Sequence, residues 1–329
     1  MKDTHDEMPR RRDFIRILGA GAVAAGTPFV HAQDAYPSRP ITLIVPWPAG
    51  GTGEGAMRVF ANCASKYLKQ PIIVDNVAGV SGTLGPARMA HNAKPDGYTF
   101  AQITAGIFRL PAMRKTNWDP RKDFDYIARI ATYQSMFVVR ADSPFKTLGD
   151  LITYAKVHPG EVTYGSVGVG TGNHLTVASF ALNAGLQLTH VPFKGSSDSL
   201  NALMGGHIML VASESAGEFV ASGALRALAT PRAKRLSRWP DVPALGELGY
   251  DVIPTSSYGL AGPAGMDPKT IALLDGVTKQ ITQDPEFIAA LARADQLDAY
   301  LNAADYKASV LREMADYERL MAALGLVEK

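Results

Sequence analysis

The spacing of apolar residues changes from that of a strand to that of a helix between residues 41 and 68. Ile41–Val45 is a short, mostly β-branched run flanked by prolines, and such a run predicts a buried strand. From Glu54 to Leu68 the apolar residues recur every three or four positions, which predicts an amphipathic helix. Prolines and glycines between the two segments exclude regular structure there. The pattern therefore predicts a strand, a glycine-rich loop and a helix.

The same succession recurs along the chain. Residues 72–75 and 98–104 are further predicted strands, separated by a glycine-rich segment and a short helix through Ala87 and Met89. A second block starts with a strand at 162–164 and continues through a glycine-rich loop into a helix. Strands joined by helices predict parallel sheets. The remaining predicted strands are 136–140, 188–191, 208–212, 225–229 and 257–261, and the remaining helices are 147–158, 268–282, 285–294 and 304–324.

Two blocks of this kind predict an α/β protein with two lobes and a ligand cleft between them. The 329 residues, 47% of them hydrophobic, are enough for two lobes that each have a core. Loops that follow the carboxyl ends of strands are where open α/β sheets bind ligands. No low-complexity linker separates the blocks, which indicates that the chain crosses between the lobes more than once.

The first 32 residues differ in kind from the rest. Arginines at 10–12 precede a weakly apolar stretch, rich in glycine and alanine, that ends in small residues at Ala32. This is the organisation of an export signal, and the sequence RRDFI at 11–15 is similar to a twin-arginine signal. A general secretory signal is the alternative. Either route predicts cleavage near Ala32 and a mature protein in the periplasm.

Charge and cysteine content exclude several functions. A net charge of +2 provides no basic field for nucleic acid. Cys63 is the single cysteine, so no internal disulfide can form, and its apolar neighbours predict an inert buried thiol. No apolar run long enough to span a membrane follows residue 32.

The glycine-rich loop after the first strand suits a small anion. Glycines let a ligand approach backbone N–H groups, and the positive end of the next helix lies behind them. Gly51, Gly53 and Ala56 also fit a loose dinucleotide motif, with Asp75 as its acidic residue. The PWP sequence at 46–48 separates the strand from the first glycine and argues against that motif. A simple turn without any ligand is the third alternative.

Catalytic and metal-dependent functions have less support. Ser166 and His174 are candidates for a nucleophile and a base with Asp96 orienting them, but no GxSxG motif is present. The histidines at 91, 158, 174, 190 and 207 lack the spacing of metal ligands. We therefore expect a protein that is not an enzyme and that has no cofactor.

Eight segments in order along the chain carry a resemblance to a known family. They are YPSRPITLIVPWPAGG, VDNVAGVSGTLG, KPDGYTF, YGSVGVGTGNHL, HVPFKGSSDSL, GALRALA, RWPDVPALGELGY and YGLAGPAGMDP. Together they resemble the extracytoplasmic solute-binding receptors of tripartite tricarboxylate transporters, the Bug family. The resemblance extends over about residues 36–326.

The resemblance implies the type II periplasmic binding protein fold, with two α/β lobes that close on a small carboxylate: an organic acid, an aromatic acid or an amino acid. By this analogy 1–32 is the export signal, 36–136 plus 255–329 is the first lobe, and 137–254 is the second lobe. The implied partners are one large and one small membrane subunit, and the receptor is expected to be a monomer. A periplasmic ligand sensor for a membrane signalling partner, without transport, is the alternative.

The resemblance also implies that both glycine-rich loops, the end of the third strand and two segments of the second lobe hold the ligand, largely through backbone amides and ordered water. The residues expected to bind it are Trp47, Ala49, Gly50, Gly51, Thr52, Glu54, Ser81, Gly82, Thr104, Ser166, Gly168, Gly170, Thr171, Asn173, His174, Phe193, Lys194 and Tyr258. Alternatively, Trp47, Phe193 and Tyr258 are core aromatic residues, and Lys194 is a solvated surface residue.

Four positions depart from the family pattern. Glu54 stands where aspartate is usual, Ser257 where tryptophan is usual, and Ala244 where threonine is usual. The second loop reads NVAG at 76–79 instead of NRPG, which removes a positive charge. With extra room beside Tyr258, we expect a carboxylate with a bulky or amine-bearing remainder, and any amine would face Glu54. The alternative is that Glu54 points into solvent or caps the helix start and has no ligand role.

Overall fold

The structure, a computed structural model, describes residues 36–50, 52–250 and 257–327, and for Thr52 and Gly53 it describes only that they belong to a helix. The predicted export signal at 1–32 and the predicted ligand residue Gly51 also fall outside the described residues. What is described is an α/β fold built on two sheets.

The strands in chain order are β1 (Ile41–Val45), β2 (Ile72–Asn76), β3 (Thr99–Thr104), β4 (Phe124–Tyr133), β5 (Met136–Arg140), β6 (Thr163–Ser166), β7 (Thr189–Pro192), β8 (Leu210–Ser213), β9 (Leu225–Ala229), β10 (Ser257–Pro263) and β11 (Gln296–Leu301). The helices are α1 (Thr52–Leu68), α2 (Leu84–Asn92), α3 (Gly106–Met113), α4 (Leu148–Val157), α5 (Gly172–Ala184), α6 (Ser196–Met204), α7 (Gly217–Ala221), α8 (Pro268–Ile281), α9 (Pro285–Arg293) and α10 (Ala303–Ala323).

The first sheet has the strand order β11-β4-β10-β3-β1-β2. β1 lies between β2 and β3 and is parallel to both, as the alternation of strands and helices predicts. β10 lies between β3 and β4 and is antiparallel to both, and β11 is antiparallel to β4. The sheet is therefore mixed, because a strand from the C-terminal part of the chain is inserted beside the parallel block.

The second sheet has the order β7-β6-β8-β5-β9. β6 is parallel to β7 and β8, whereas β5 is antiparallel to β8 and β9. The chain passes from the first sheet to the second between β4 and β5, and it returns between β9 and β10. Two crossings agree with the absence of a linker in the sequence, and the lobe boundaries at 136/137 and 254/255 stay predictions.

The hydrophobic pattern does not predict β4, β11, α3, α6 or α7. Arg129 interrupts the apolar run of β4, and its Nε donates to the carbonyl oxygen of Ala299 in β11 at 2.7 Å. α3 contains Pro111 in its interior, which ordinarily argues against a helix. These elements form because burial in the tertiary structure overrides local preference.

Helix α10 closes the core of the first sheet. Its Tyr306 packs edge-on against Tyr126 of β4, with ring centroids 5.2 Å apart. Cys63 of α1 is fully buried, and burial raises the pKa of its thiol, so the prediction of a buried cysteine is confirmed. Across the described residues, no helix is both long enough and apolar enough to cross a bilayer.

Candidate ligand-binding site

The first wall of the candidate site forms where β1 and β3 end. Asn76, at the end of β2, donates from Nδ2 to the carbonyl oxygen of the half-buried Trp47 at 2.9 Å and so holds the loop after β1. A Cβ atom on Gly82 would lie 3.0 Å from Cη2 of Trp47 and 3.1 Å from Oγ1 of Thr104. Both glycine-rich loops of the first lobe and the end of β3 therefore meet, as the predicted site requires.

The second glycine-rich loop is a tight turn with left-handed backbone angles. Val80 and Ser81 have φ values of 48° and 55°, and Gly82 follows at 80°. The Thr83 hydroxyl donates to the Val80 carbonyl oxygen at 2.7 Å. A Cβ atom on Gly106, at the start of α3, would lie 2.7 Å from the Ser81 carbonyl oxygen. The close approach of α3 thus supports a turn that residues other than glycine rarely adopt.

The Glu54 carboxylate is turned back onto its own loop. Only 3% of Glu54 is exposed, and its Oε2 accepts a hydrogen bond from the Gly50 amide at 3.2 Å. Its Oε1 pairs with Arg58 one helical turn further along α1. The alternative that Glu54 points into solvent is therefore wrong. A ligand amine that faces Glu54 would therefore share its carboxylate with Arg58. The i, i+4 spacing of Glu54 and Arg58 on the helix is the spacing at which such ion pairs form.

The second wall contains a stack of aromatic rings at the end of β6. The imidazoles of His174 and His190 stack with centroids 4.1 Å apart, and the Tyr164 ring lies 5.0 Å from that of His190. Ser166 Oγ is 2.6 Å from Nε2 of His190, and the Gly170 amide donates to Nδ1 of His174 at 3.0 Å. Side chains from the elements that flank the loop after β6 therefore hold the backbone of this loop in place.

This arrangement does not match the catalytic alternative. Ser166 pairs with His190 and not with His174, and Asp96 is engaged by Arg39 at 3.0 Å. The Ser166 side chain has no exposed surface, and its hydroxyl also bonds to the backbone of Gly168. A hydroxyl that is enclosed and bonded in this way is a structural group, since a nucleophile must reach its substrate.

Burial lowers the pKa of both stacked histidines. For His174, desolvation and then the charge of His190 lower the pKa to about 4. Desolvation also lowers the pKa of His190. Because Nδ1 of His174 accepts the Gly170 amide, the neutral imidazole is the form that the loop requires.

We expect His174→Gln to reduce the pH dependence of stability. The unfolded histidine takes up a proton near pH 6.5, whereas the folded one does so near pH 4. Its contribution to the free energy of unfolding is therefore present above pH 6.5 and is lost as the pH falls from 6.5 towards 4. Urea titrations at about pH 7 and about pH 4.5 should show the variant losing about 2 kcal/mol less than the native protein.

The matched control is His207→Gln, because His207 is exposed. This control should keep the pH dependence of the native protein. Identical pH dependence in His174→Gln and the native protein would contradict the account of the buried imidazole.

Arg109 of α3 and Glu214 after β8 are two charged residues that sequence reasoning missed. Nδ2 of Asn173 donates to the Ala212 carbonyl oxygen at 2.6 Å and to Oε2 of Glu214 at 3.1 Å. Burial raises the pKa of Glu214, and the hydrogen bond from Asn173 and the charge of Arg109 oppose that rise. The electrostatic interaction between Arg109 and Glu214 joins a helix of the first lobe to a loop of the second. Single charged residues in apolar surroundings have no periodic pattern that would have marked them.

Other contacts also join the two lobes. A Cβ atom on Gly170 would collide with Sδ of Met113, the last residue of α3. Leu175 of α5 belongs to the buried cluster that contains Phe108 of α3. The loop after β6 is therefore packed against α3, next to the wall made by Thr104 and the second glycine-rich loop.

Helix α5 begins without a capping side chain. Its N-cap residue, Thr171, makes no capping bond and instead donates its hydroxyl to the Gly168 carbonyl oxygen at 2.7 Å. The first-turn N–H groups of this 13-residue helix thus lack a side-chain cap. Such N–H groups, together with the helix dipole, attract an anion.

The remaining predicted ligand residues lie at different depths. Lys194 is exposed. A Cβ atom on Gly165 would be 3.2 Å from Cε2 of Phe193, so the Phe193 ring packs over β6. Tyr258 is fully buried, and its hydroxyl donates to Oε1 of Gln296 at 2.7 Å. Tyr258 therefore packs behind the first wall.

One group of potential metal ligands occurs among the described residues. Ligand atoms of Cys63, Asp284 and Glu286 lie within 4.8 Å of one another. Asp284 caps α9 by accepting from the Glu286 amide at 2.8 Å, and Oε2 of Glu286 accepts from Lys66 at 2.7 Å. The carboxylates are thus engaged by the protein's own groups.

Comparisons with known proteins place the chain in a family. Residues 56–326 match the sequence profile of the tripartite tricarboxylate transporter family receptor, TctC. A Cupriavidus necator protein described as "UPF0065 protein in gbd 5'region" is 42% identical over 325 residues, which cover 97% of this chain and 99% of that protein.

Solved structures show the same fold. Rpa4515 of R. palustris, solved with adipate, has a TM-score of 0.80 and 28% identity over 88% of this chain and 98% of its own. MatC of Rhodopseudomonas palustris, solved with bound malate, has a TM-score of 0.74 and 25% identity over 87% of this chain and 99% of its own. The chain therefore belongs to the TctC family of tripartite tricarboxylate transporter receptors, which confirms both the resemblance and the expected fold.

Proposed function

We propose that this protein is a periplasmic receptor that captures a small carboxylate between its lobes and delivers it to the membrane subunits of a tripartite tricarboxylate-type transporter. Membership of a receptor family supports the role, and the relatives solved with adipate and malate support the ligand class. The export-signal pattern at 1–32 supports the periplasmic location. The family resemblance supports a monomer that works with one large and one small membrane subunit.

The observation that carries the proposal is the meeting of two walls from different sheets. The first is the wall of Trp47, Gly82 and Thr104, and the second is the loop that leads into the uncapped start of α5. Glu54 is paired with Arg58, and Lys194 is exposed. A carboxylate is therefore held by backbone dipoles and ordered water, without an ion pair to a dedicated lysine or arginine.

The two segments that cross between the sheets allow the lobes to close on a ligand. The chain links the lobes at 134–135 and again between β9 and β10, so each lobe can move as a unit about these segments. A ligand that contacts both walls binds the closed arrangement more tightly than an open one. Binding therefore shifts the population towards the closed form.

The test is a thermal-shift panel of dicarboxylates, aromatic carboxylates and acidic amino acids. A ligand present at about 100 times its Kd adds about 2.7 kcal/mol to stability, which raises Tm by a few degrees. The carboxamide of each stabilising acid is the matched control and should leave Tm unchanged, because it lacks the anionic group. Stabilisation by neutral compounds alone, with every carboxylate silent, would overturn the proposal.

A further inference from the structure

A group of uncharged polar side chains lies partly in the first wall and partly buried directly behind it. Gln102 and Thr104 lie two residues apart on β3 and therefore on the same face of the strand. They are 0% and 4% exposed. Trp47 lies in the loop that follows β1, and Tyr133 is the last residue of β4. We call Trp47, Gln102, Thr104 and Tyr133 the polar group.

Three members of the polar group, Trp47, Gln102 and Thr104, contain buried polar atoms that lack a partner of normal geometry. Nε1 of Trp47, both amide atoms of Gln102 and Oγ1 of Thr104 are buried without a hydrogen bond of normal geometry to any described residue. Buried donors and acceptors in native proteins are nearly always satisfied by protein, water or ligand. Apart from the Tyr133 hydroxyl, which faces Trp47 and Gln102, no described residue satisfies these atoms, and the Thr104 hydroxyl has no partner among the described residues; a further partner at this place is therefore indicated.

The Tyr133 hydroxyl ties the group together. It makes side-chain hydrogen-bonding contacts with Trp47 and Gln102. Burial raises the pKa of Tyr133, and these two contacts oppose that rise. A Cβ atom added to Gly82 would lie 3.1 Å from the Thr104 hydroxyl and would also contact the Trp47 ring. The polar group thus adjoins the point where the two glycine-rich loops of the first lobe meet.

The electrostatic surroundings define which chemical group fits. None of the four side chains carries a charge at neutral pH, and after burial the charge of Glu214 also raises the pKa of Tyr133. A second carboxylate of the ligand would meet this negative charge without a cation in the polar group to offset it. An uncharged oxygen meets the indole and amide N–H donors, and a hydroxyl can also donate to the oxygens of Gln102 and Thr104.

We propose that the polar group is a subsite for an uncharged oxygen of the ligand, so that this receptor prefers hydroxy- or oxo-carboxylates to the corresponding acids that lack that oxygen. The inference rests on the proposed function, because it assumes that the carboxylate is bound between the lobes. A methylene at this position would leave the buried donors and acceptors unpaired, and a site built around a hydroxyl rejects such an analogue strongly.

The experiment compares matched acids on the full mature protein. Calorimetry measures Kd for hydroxy and oxo acids of three to six carbons, each paired with the acid that has hydrogens in place of that oxygen. We expect the native protein to bind at least one hydroxy or oxo acid about tenfold or more tightly than its partner. Gln102→Met should lower that preference about tenfold while leaving the affinity for the partner acid unchanged.

Gln296→Met is the matched control. Gln296 is also buried, and its Nε2 also lacks a hydrogen-bond partner of normal geometry among the described residues, but its Oε1 accepts from Tyr258 outside the polar group. This variant should keep the native preference. If Gln102→Met fails to fold, Thr104→Val, which removes only a hydroxyl, should lower the ratio of the two affinities; only this ratio is compared, because Thr104 also belongs to the first wall.

The outcomes separate this inference from the proposed function. If carboxylates bind but no hydroxy or oxo acid is preferred, the subsite is wrong and the receptor function stands. An unchanged preference in a folded Gln102→Met protein would show that these atoms are satisfied by ordered water and would overturn the inference. If no carboxylate binds at all, the proposed function itself fails.

Discussion

Replacing Asn173 by leucine is expected to lower the free energy of unfolding by about 3 kcal/mol at neutral pH. Asn173 is 5% exposed and donates to two buried acceptors, the Ala212 carbonyl oxygen and Oε2 of Glu214. Leucine fills similar space but donates to neither, so a buried carbonyl and a buried carboxylate both lose a partner. The measurement is urea unfolding of the ligand-free protein.

The pH dependence of this loss identifies its cause. Asn173 favours the charged form of Glu214, so its removal raises the pKa of that carboxyl beyond the rise that burial already causes. The stability difference between the native protein and the variant is therefore largest at high pH, and it shrinks as the pH falls and Glu214 becomes protonated in the variant. Acid should thus rescue the variant relative to the native protein.

The control is the same substitution in a Glu214→Gln background. A neutral amide at 214 needs less stabilisation than a buried carboxylate, so Asn173→Leu should cost clearly less there. An equal cost in both backgrounds would contradict the assigned role of Asn173 as the partner of Glu214, and would leave only the bond to Ala212.

Gly82→Ala is expected to weaken carboxylate binding by about tenfold to a hundredfold while leaving the protein folded. The added Cβ would lie 3.0 Å from the Trp47 ring and 3.1 Å from the Thr104 hydroxyl, so one of these groups must move. Both belong to the first wall, and their displacement changes the shape that the ligand meets. Calorimetry with a carboxylate found in the thermal-shift panel measures the change in Kd.

The left-handed backbone at Gly82 complicates this result, because alanine is strained there whatever the space around it. Gly223→Ala separates the two effects. Gly223 has a φ of 76°, close to the 80° of Gly82, but a Cβ atom on it would meet nothing within 4 Å. We expect the control to lose about 1 kcal/mol of stability and to bind the carboxylate normally. Equal binding by both variants and the native protein would remove Gly82 from the site.

Local sequence patterns predicted the part of the site that depends on chain order. The strand β1 has the predicted bounds, and the loop after it leads into α1 as expected. Turn chemistry marked the second glycine-rich loop and the loop before α5, because glycine is needed where φ is positive, as at Gly82 and Gly170. The pair of Glu54 and Arg58 was not predicted, although their i, i+4 spacing on α1 is a local signal that could have indicated it.

Other parts of the site had no local signal. Helix α3 contains a proline, and nothing in its sequence indicates that Arg109 acts on Glu214 more than a hundred positions away. From the sequence, Ser166 and His174 are only a disfavoured catalytic pair, and nothing in the sequence indicates that Ser166 bonds to His190 on the neighbouring strand, as it does in the structure. The partner of a buried polar atom depends on which strands lie side by side, and spacing along the chain does not encode that.

The sequence by itself determined the family, the β1–α1 unit with its loop and the other glycine-rich loops, because strand and helix periods, turn residues and motifs are properties of consecutive positions. Only the tertiary structure decided that β10 lies between β3 and β4 and that Tyr258 packs behind the first wall. It also decided that Trp47, Gln102, Thr104 and Tyr133 gather at one place. These arrangements depend on burial across distant parts of the chain, where hydrophobic packing and strand pairing choose partners that local preference does not specify.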